Sequence, residues 1–254
     1  SRTVPIKDSL GMLETYAEID KALADLNGNS AAWRMSEDRA FIEGLNQTMA
    51  TTLFYGDSSL DPEKFTGLAP RYNLLSAENG INIVDAGGTG ADNASIWLIV
   101  WGPNTCHGID PKGSPAGLQS RDLGEDTLID AAGGRYQGYR THYKWDNGLT
   151  LRDWRYVVRI ANIDVSDLTK NAASGGDLID LLTQAIELIP NLGMGRPVFY
   201  MPRKLRSFLR RQIANKVAAA TLTMEEVAGK KVVAVDGIPV RRTDALLLTE
   251  ARVV

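Results

Sequence analysis

The chain has few of the residues that form disulfides or bind metal ions, and it has no long apolar run that could anchor it in a bilayer. Its 254 residues include one cysteine and two histidines. An intramolecular disulfide is therefore excluded, and a reducing compartment is the simpler expectation. No apolar run approaches the roughly 18 residues that span a bilayer. The N-terminus has no charged-then-apolar leader, so we expect no signal peptide.

An excess of charge of one sign is also missing. The 28 basic and 31 acidic residues give a formal net charge of -3. Such a balance excludes a chain-wide attraction to nucleic acid or to a membrane surface. Hydrophobic residues, by contrast, make up 44% of the chain, enough to bury one sizeable core or two small ones.

Recognisable catalytic and cofactor patterns are absent from the sequence. No G-x-S-x-G, H-E-x-x-H or Walker A motif occurs. His107 and His142 lack metal-ligand spacing, and we interpret them, with Cys106, as packed or surface residues. A Cys106/His142 nucleophile pair is conceivable, but no third group is in view to orient it. The glycine-rich residues 87–93 precede a strand rather than a helix, so we predict a flexible loop and no phosphate cradle. No catalytic residue, metal or cofactor is predicted.

The sequence feature that most resembles a cation site is a cluster of carboxylates. It comprises Asp122, Glu125 and Asp126, at the end of a Pro- and Gly-containing segment that we predict to be a long polar connection. A hard cation could bind there, but the regular ladder of oxygen ligands that fixes calcium geometry is missing. Solvated loop acids are the favoured interpretation.

Residues 33–67 predict one long amphipathic helix followed by a polar turn. Apolar side chains recur at every fourth position, which is the helical period: Phe41, Leu45, Met49 and Leu53. Ser36 is the predicted N-cap, and Gly56 the predicted left-handed C-cap. Upstream, residues 8–29 carry a patchy apolar face that predicts a shorter helix.

The middle of the chain is β-rich. Residues 81–103 predict a strand, a glycine-rich loop and a second strand. Between residues 139 and 160 we predict a hairpin, because aromatic and β-branched residues alternate on either side of Asp146-Asn147-Gly148. Asn and Gly tolerate the positive φ of a type I′ turn.

The C-terminal third predicts a small α/β layer domain. A composition change at residues 171–176 marks the candidate boundary, and a helix, a short strand, a second helix and a strand–turn–strand follow. Pro202 occupies the first position of the second helix, where its missing N–H costs nothing.

That second helix is strongly basic in a nearly neutral chain. Its cationic residues are Arg203, Lys204, Arg206, Arg210, Arg211 and Lys216. One interpretation is contact with an acidic neighbouring subunit or with packaged nucleic acid. The other is a solvated helix face whose apolar side chains turn inward. A protein neighbour is favoured over base contact, because no aromatic side chains alternate with the basic ones to stack on bases.

Four tracts carry a resemblance to a known family. They are residues 36–68, 96–118, 143–164 and 235–247, which contain SEDRAFIEGLNQTMATTLFYGD, IWLIVWGPNTCHGIDPKGSPAGL, YKWDNGLTLRDWRYVVRIANID and VDGIPVRRTDALL. In this order they resemble the major capsid proteins of tailed bacteriophages with the Hong Kong 97-like fold. More narrowly, they are similar to the coat proteins of epsilon15-type and Bordetella-phage-type short-tailed phages.

The resemblance implies an α+β fold with a long spine helix, an antiparallel peripheral-domain sheet and a small α/β axial domain. Residues 1–30 would be the end of an N-terminal arm or extended loop, with more chain expected upstream. Residues 31–164 would form the peripheral domain, including the hairpin around Asn147. Residues 165–254 would form the axial domain.

The function that the resemblance implies is structural and not enzymatic. The chain would assemble through hexamers and pentamers into an icosahedral phage head enclosing double-stranded DNA, in the cytoplasm of a bacterial host. Copies of itself and non-specifically bound DNA would be its partners in the virion, with a cement protein, portal and scaffold as further candidates and no membrane. Candidate intersubunit or DNA contacts are Arg203, Lys204, Arg206, Arg210 and Arg211.

Two alternatives stay open at this point. One is an encapsulin-like cellular compartment shell with the same fold. The other is a soluble enzyme or carbohydrate-binding β-protein, with a pocket among Trp97, Trp101, Tyr143 and Trp145.

Overall fold

A computed structural model describes residues 5–171, 175–215, 224–227 and 230–254. Its helices are α1 (Lys21–Leu26), α2 (Ala31–Tyr55), α3 (Leu178–Glu187) and α4 (Arg203–Asn215). Its strands are β1 (Leu10–Asp20), β2 (Ile83–Asp85), β3 (Asn93–Trp101), β4 (Cys106–Ile109), β5 (Gln119–Ile129), β6 (Arg135–Leu151), β7 (Val157–Asp164), β8 (Arg196–Met201), β9 (Met224–Val227), β10 (Lys230–Val235) and β11 (Ile238–Arg242).

The chain divides into two compact units. Unit 1 is Ser1–Gly67 with Gly108–Leu149, and unit 2 is Leu68–His107 with Thr150–Val254. The assignment of residues 1–30, 31–164 and 165–254 to an arm, a peripheral domain and an axial domain stays a prediction.

Unit 1 combines the long helix α2 with an antiparallel sheet in which β6 is the central strand. β1 pairs with β6 from Leu10↔Gly148 to Asp20↔Gly138. β5 pairs with the other edge of β6, from Gln119↔Lys144 to Ile129↔Arg135. One apolar cluster of this unit contains the buried residues Ala17, Leu45 and Tyr143, against which Leu13, Ile42 and Leu118 pack. The other buried apolar residues of the unit include Met49, Phe54, Phe65, Leu128 and Leu149.

The long helix was predicted correctly, but its ends are set differently. Ser30, not Ser36, is the N-cap, and its hydroxyl accepts a hydrogen bond from the Trp33 amide at 3.2 Å. Gly56 follows the last helical residue with φ of −55°, so it is not left-handed. A glycine is needed there for another reason, since a Cβ would lie 2.3 Å from the Phe65 carbonyl oxygen.

Residues 10–20 form a strand, so the helix predicted from residues 8–29 is wrong over that range. Side chains of β1 alternate between exposed and partly buried positions, as a strand with one packed face requires. Only Lys21–Leu26 is helical, and the Asp20 carboxylate caps it by accepting from the Ala22 amide at 2.8 Å.

The hairpin predicted at Asp146-Asn147-Gly148 is also wrong. β6 continues straight through these residues, because β1 lies alongside and pairs Asn147 with Gly11. Neither Asn147 nor Gly148 adopts a positive φ. At Gly148 the absence of a side chain permits close strand approach, since a Cβ would lie 2.8 Å from the Ser9 carbonyl oxygen.

The turn at the end of β6 lies at its other terminus. β5 is joined to β6 through residues 130–134, where Gly133 has φ of 86° and its amide donates to the Asp130 carbonyl at 3.0 Å. Residues 119–129, predicted to lie in a polar connection and loop, are therefore a strand. The mostly polar sequence of this segment lacks the alternation of apolar and polar residues that would have predicted a strand.

Unit 2 is built on a sheet of buried strands. β3 lies between β7 and β8 and is antiparallel to both; β8 pairs in parallel with β11, and β10 pairs with β11. All but the last residue of β3 are buried, which explains its near-continuous apolar sequence. The core includes Ile96, Leu98, Val158, Ile160 and Phe199 from the sheet, with Leu178, Leu182, Leu205 and Leu209 from α3 and α4.

A tight turn joins β10 to β11. Asp236 and Gly237 both have positive φ, 49° and 76°, which is the type I′ arrangement. The predicted strand–turn–strand is thus confirmed. Of the predicted boundary at residues 171–176, residues 172–174 lie outside the described part of the chain.

A buried ion pair holds the C-terminal segment of unit 2. Arg159 donates to the Glu250 carboxylate at 2.8 Å, to the Ser95 hydroxyl at 3.0 Å and to the Tyr72 carbonyl at 2.8 Å. Its guanidinium lies 5.2 Å from the centre of the Trp97 ring. Each of the three guanidinium nitrogens therefore has a hydrogen-bond acceptor inside the core.

Candidate assembly surface

Helix α4 presents one apolar and one basic face. Leu205 and Leu209 are fully buried, and between α4 and α3 the Gln212 side chain accepts from the Leu178 amide at 3.1 Å. The inward packing expected of the helix is therefore present. All of the predicted basic residues that the structure describes lie on the remaining surface, with Arg206 half-buried and the others exposed: Arg203, Lys204, Arg206, Arg210 and Arg211. Lys216 lies outside the described residues.

The basic face borders two concavities in unit 2. We call the first the arginine cavity; it measures about 500 Å³. Its lining is Arg203, Arg206, Ser207, Arg210, Arg211, Ile213 and Ala214 from α4, with Val233 and Arg242 from the sheet. The second, about 720 Å³, lies along Lys204, Phe208, Leu246 and Leu248. Arg203 and Arg211 also line this second groove.

Two of the arginines are held by contacts within the unit. Arg203 forms an ion pair with Asp244. Arg211 lies with its guanidinium 4.2 Å from the centre of the Phe208 ring, a cation–π distance. These contacts restrain the two side chains at the rim of the arginine cavity.

The remaining three arginines of the cavity repel one another. Burial lowers the pKa of Arg206 below its ordinary value, and the neighbouring charges of Arg210 and Arg242 lower it further. The Nε atom of Arg206 is buried and has no hydrogen-bond partner. Among the described residues, no carboxylate forms an ion pair with any of the three. The cavity thus concentrates positive charge that no ion pair among the described residues neutralises.

Arg242 is the member of this set that the sequence interpretation missed. It ends β11, about 30 residues after the basic helix, and it joins the cavity because β11 packs beside α4. The tandem Arg241-Arg242 was the available signal, but only the fold shows which of the two faces the helix.

Each of the three carboxylates considered as a cation site forms an ion pair with a different basic residue. Asp122 pairs with Arg34 at 3.0 Å, Glu125 with Lys21 at 2.7 Å, and Asp126 with Arg140 at 2.9 Å. They lie on a strand rather than in a loop, so that part of the prediction is wrong. Each carboxylate instead joins β5 to a neighbouring element. Within the described residues, no group of His, Cys, Asp and Glu side chains could hold a metal ion.

His142 and Cys106 lie in surroundings that fit a structural role. His142 stacks on Tyr16 with ring centres 4.8 Å apart and lies 2.6 Å from the Glu14 carboxylate. Cys106 is fully buried. Their surroundings match packed and surface roles.

The aromatic residues proposed for an alternative ligand pocket are mostly engaged in packing. Trp97 is fully buried and meets the Tyr72 ring edge-on. Trp101 donates from Nε1 to the Tyr200 hydroxyl at 3.0 Å. Tyr143 is buried and donates to the Asp38 carboxylate at 2.8 Å. Trp145 is half-buried. This packing does not support the alternative of an aromatic ligand pocket.

Every helix in the described part of the chain is too short or too polar to cross a membrane. Comparison with curated proteins gives no match. Comparison with solved structures finds a chain of the near-atomic-resolution cryo-EM structure of bacteriophage epsilon15, at 40% sequence identity and a TM-score of 0.70. The match covers 99% of this chain and 76% of that one.

A family of major capsid proteins matches the whole sequence. Residues 1–254 fit the family described as major capsid protein GP7. The long helix α2, the antiparallel sheet of unit 1 and the α/β layers of unit 2 agree with the α+β phage-capsid fold implied by the sequence. The chain belongs to the major capsid protein GP7 family, and it is a structural protein of a phage capsid.

Proposed function

We propose that this chain assembles through hexamers and pentamers into an icosahedral phage head that encloses double-stranded DNA. Its family membership over residues 1–254 is the observation that carries the proposal. A closed shell of one protein needs heterologous contacts that repeat until they close. The basic face of α4 supplies one such contact in this proposal, because Arg206 and Arg210 form no ion pair with any carboxylate among the described residues.

The work of the chain, in this proposal, is binding its own copies and not catalysis. The candidate contact residues are Arg203, Lys204, Arg206, Arg210 and Arg211, each at the surface of α4. They meet either a neighbouring subunit or packaged DNA. Portal, scaffold and cement proteins would be further partners, and assembly would take place in the cytoplasm of the bacterial host.

Electron microscopy of the purified protein tests the proposal. We expect closed particles of uniform diameter, with hexamers and pentamers resolved after image averaging, and a matching fast boundary in sedimentation velocity. Well-folded protein that stays monomeric or dimeric across pH, salt and concentration would overturn it. Closed particles filled with cargo protein in the native host would indicate a cellular compartment instead.

A further inference from the structure

The arginine cavity has the form of a binding site that the described residues around it leave unfilled. Arg206, Arg210 and Arg242 come from two elements and converge on one concavity of about 500 Å³. Like charges that converge repel one another, and the repulsion is relieved only by an anion. The buried Nε–H of Arg206 has no acceptor. A buried donor left unpaired is costly, so an incoming acceptor gains more there than at an exposed arginine.

Guanidinium groups select the chemistry of that anion. Their planar forks bind carboxylates and phosphates through two parallel hydrogen bonds, so the ligand is an oxyanion. Two kinds of macromolecule could carry it in a phage head: a protein with Asp or Glu side chains, or the phosphate backbone of DNA.

The lining of the cavity favours a carboxylate side chain of a protein over a phosphate of DNA. Its lining includes the apolar side chains of Ile213, Ala214 and Val233. A concavity with such walls fits a single protruding side chain with its methylene groups. Backbone phosphates, by contrast, are bound along extended positive grooves accompanied by aromatic side chains that stack on bases. Phe208 lines the second groove and not this cavity, and its ring is covered by Arg211.

The chain itself offers suitable partners. It has 31 acidic residues against 28 basic ones, so each copy presents carboxylates to its neighbours. In a shell, copies lie at high local concentration, which favours contacts that are individually modest.

We infer that the arginine cavity receives a carboxylate side chain from a second copy of this chain and so forms one of the contacts between subunits. The inference deepens the proposed function and rests on it. Arg206 binds the carboxylate from the buried side, while Arg210 and Arg242 hold it from the exposed side. Arg241, the exposed neighbour of Arg242 in β11, does not line the cavity and takes no part in this contact.

Assembly of the protein expressed alone, purified through nuclease and high salt, is the first test. We expect the double variant Arg206→Glu/Arg210→Glu to lower the particle yield in sedimentation velocity by at least about tenfold, the effect of one lost charge-assisted pair. The control is Arg241→Glu, a charge reversal at the exposed neighbour of Arg242 that does not line the cavity, and it should change the yield by less than about twofold. Circular dichroism of the unassembled subunits checks that each variant folds.

A second measurement works on unassembled subunits and needs no shell. A glutamate-only peptide and a single-stranded oligothymidylate of equal charge are titrated by calorimetry into the wild type, Arg206→Gln and Arg241→Gln. We expect Arg206→Gln to weaken binding of the peptide by about tenfold and Arg241→Gln to leave it unchanged.

The outcomes separate this inference from the proposed function. If no particles form from the wild type, the proposed function fails. The peptide titration still shows whether the cavity binds carboxylates through Arg206. If the double variant assembles like the wild type, or Arg241→Glu is as harmful, the carboxylate contact is wrong. Oligothymidylate binding that depends on Arg206, without peptide binding that does so, would assign the cavity to DNA and overturn the inference.

Discussion

The two units of this subunit are stabilised by different means. Unit 2 has a large apolar core in which strands β3 and β7 are buried on both faces and covered by α3 and α4. Unit 1 buries fewer apolar side chains among the described residues, and ion pairs connect β1, β5 and β6 across its sheet. Burial of apolar surface dominates free energies of folding, whereas half-exposed ion pairs contribute little.

The contrast suggests that unit 2 is the rigid part and unit 1 the more easily deformed one. A protein that occupies non-equivalent positions in a closed shell benefits from one part whose geometry can adjust. Local opening is expected where apolar contacts are few.

The largest expected effect is a cavity in the core of unit 2. Leu98→Ala removes a fully buried side chain from β3 and should lower the free energy of unfolding by about 4 kcal/mol. Leu45→Ala makes the same chemical change in the small cluster of unit 1 and should cost about 2 kcal/mol, because the thin cluster collapses more easily. Urea unfolding, monitored through hydrogen exchange of the backbone amides in each unit, measures both losses. Equal losses would contradict the proposed difference between the cores.

Breaking the buried ion pair of unit 2 comes next. Arg159→Met leaves the Glu250 carboxylate buried without its cation, and we expect a loss of about 3 kcal/mol. The double variant Arg159→Met/Glu250→Gln should recover part of this loss, because no unpaired charge then remains in the core. A single variant as stable as the wild type in urea unfolding would show that the pair contributes nothing.

How far the sequence predicts this fold depends on which interactions set each element. Helix α2 and the buried strand β3 were predicted correctly because their own periodicity and apolar runs carry the signal. β1 was mistaken for a helix because its leucines also fit a helical spacing, and only the distant β6 decides its conformation. The same pairing overrides the turn preference of Asn147-Gly148.

The candidate site was predictable in part for the same reason. The basic residues of α4 lie within nine positions of one another, so the sequence alone groups them. The cavity needs Arg242 as well, and its position beside the helix follows from the parallel pairing of β11 with β8. Nor does a sequence indicate that the Nε of Arg206 lacks an acceptor, since that depends on three-dimensional packing.

A buried hydrogen bond in unit 1 gives the third prediction. Tyr143→Phe removes the donor to Asp38, whose other carboxylate oxygen is already unpartnered, so we expect a loss of about 1–2 kcal/mol at neutral pH. Tyr136→Phe, a half-buried tyrosine of the same strand, is the control and should cost less than about 0.5 kcal/mol.

Alkaline pH provides an independent readout of the same tyrosine. Burial raises the pKa of Tyr143 to about 12 from an ordinary value of 10.0, and the hydrogen bond to Asp38 adds to the shift. The folded state therefore holds this proton more tightly than the unfolded state does. Stability is retained below pH 10 and lost as the pH rises towards 12. Tyr143→Phe should flatten this decline; an unchanged profile would mean that Tyr143 does not cause it.

The smallest effect is expected for the ion pairs of unit 1. Arg140 donates to Glu18 and to Asp126, both at 2.9 Å, and so links β6 to the strands on either side. Its side chain is about one-quarter exposed and its partners more so, which limits the expected loss on Arg140→Gln to about 0.5–1 kcal/mol at low salt. Arg155→Gln, which breaks a more exposed pair with Asp153 in unit 2, should cost less. Near 1 M NaCl the two variants should become equal, because exposed charges are screened over a few ångströms at that ionic strength. A loss for Arg140→Gln that persists undiminished in salt would show that this arginine contributes through packing against the Tyr16 ring, 5.5 Å away, and would make unit 1 less dependent on charge than proposed.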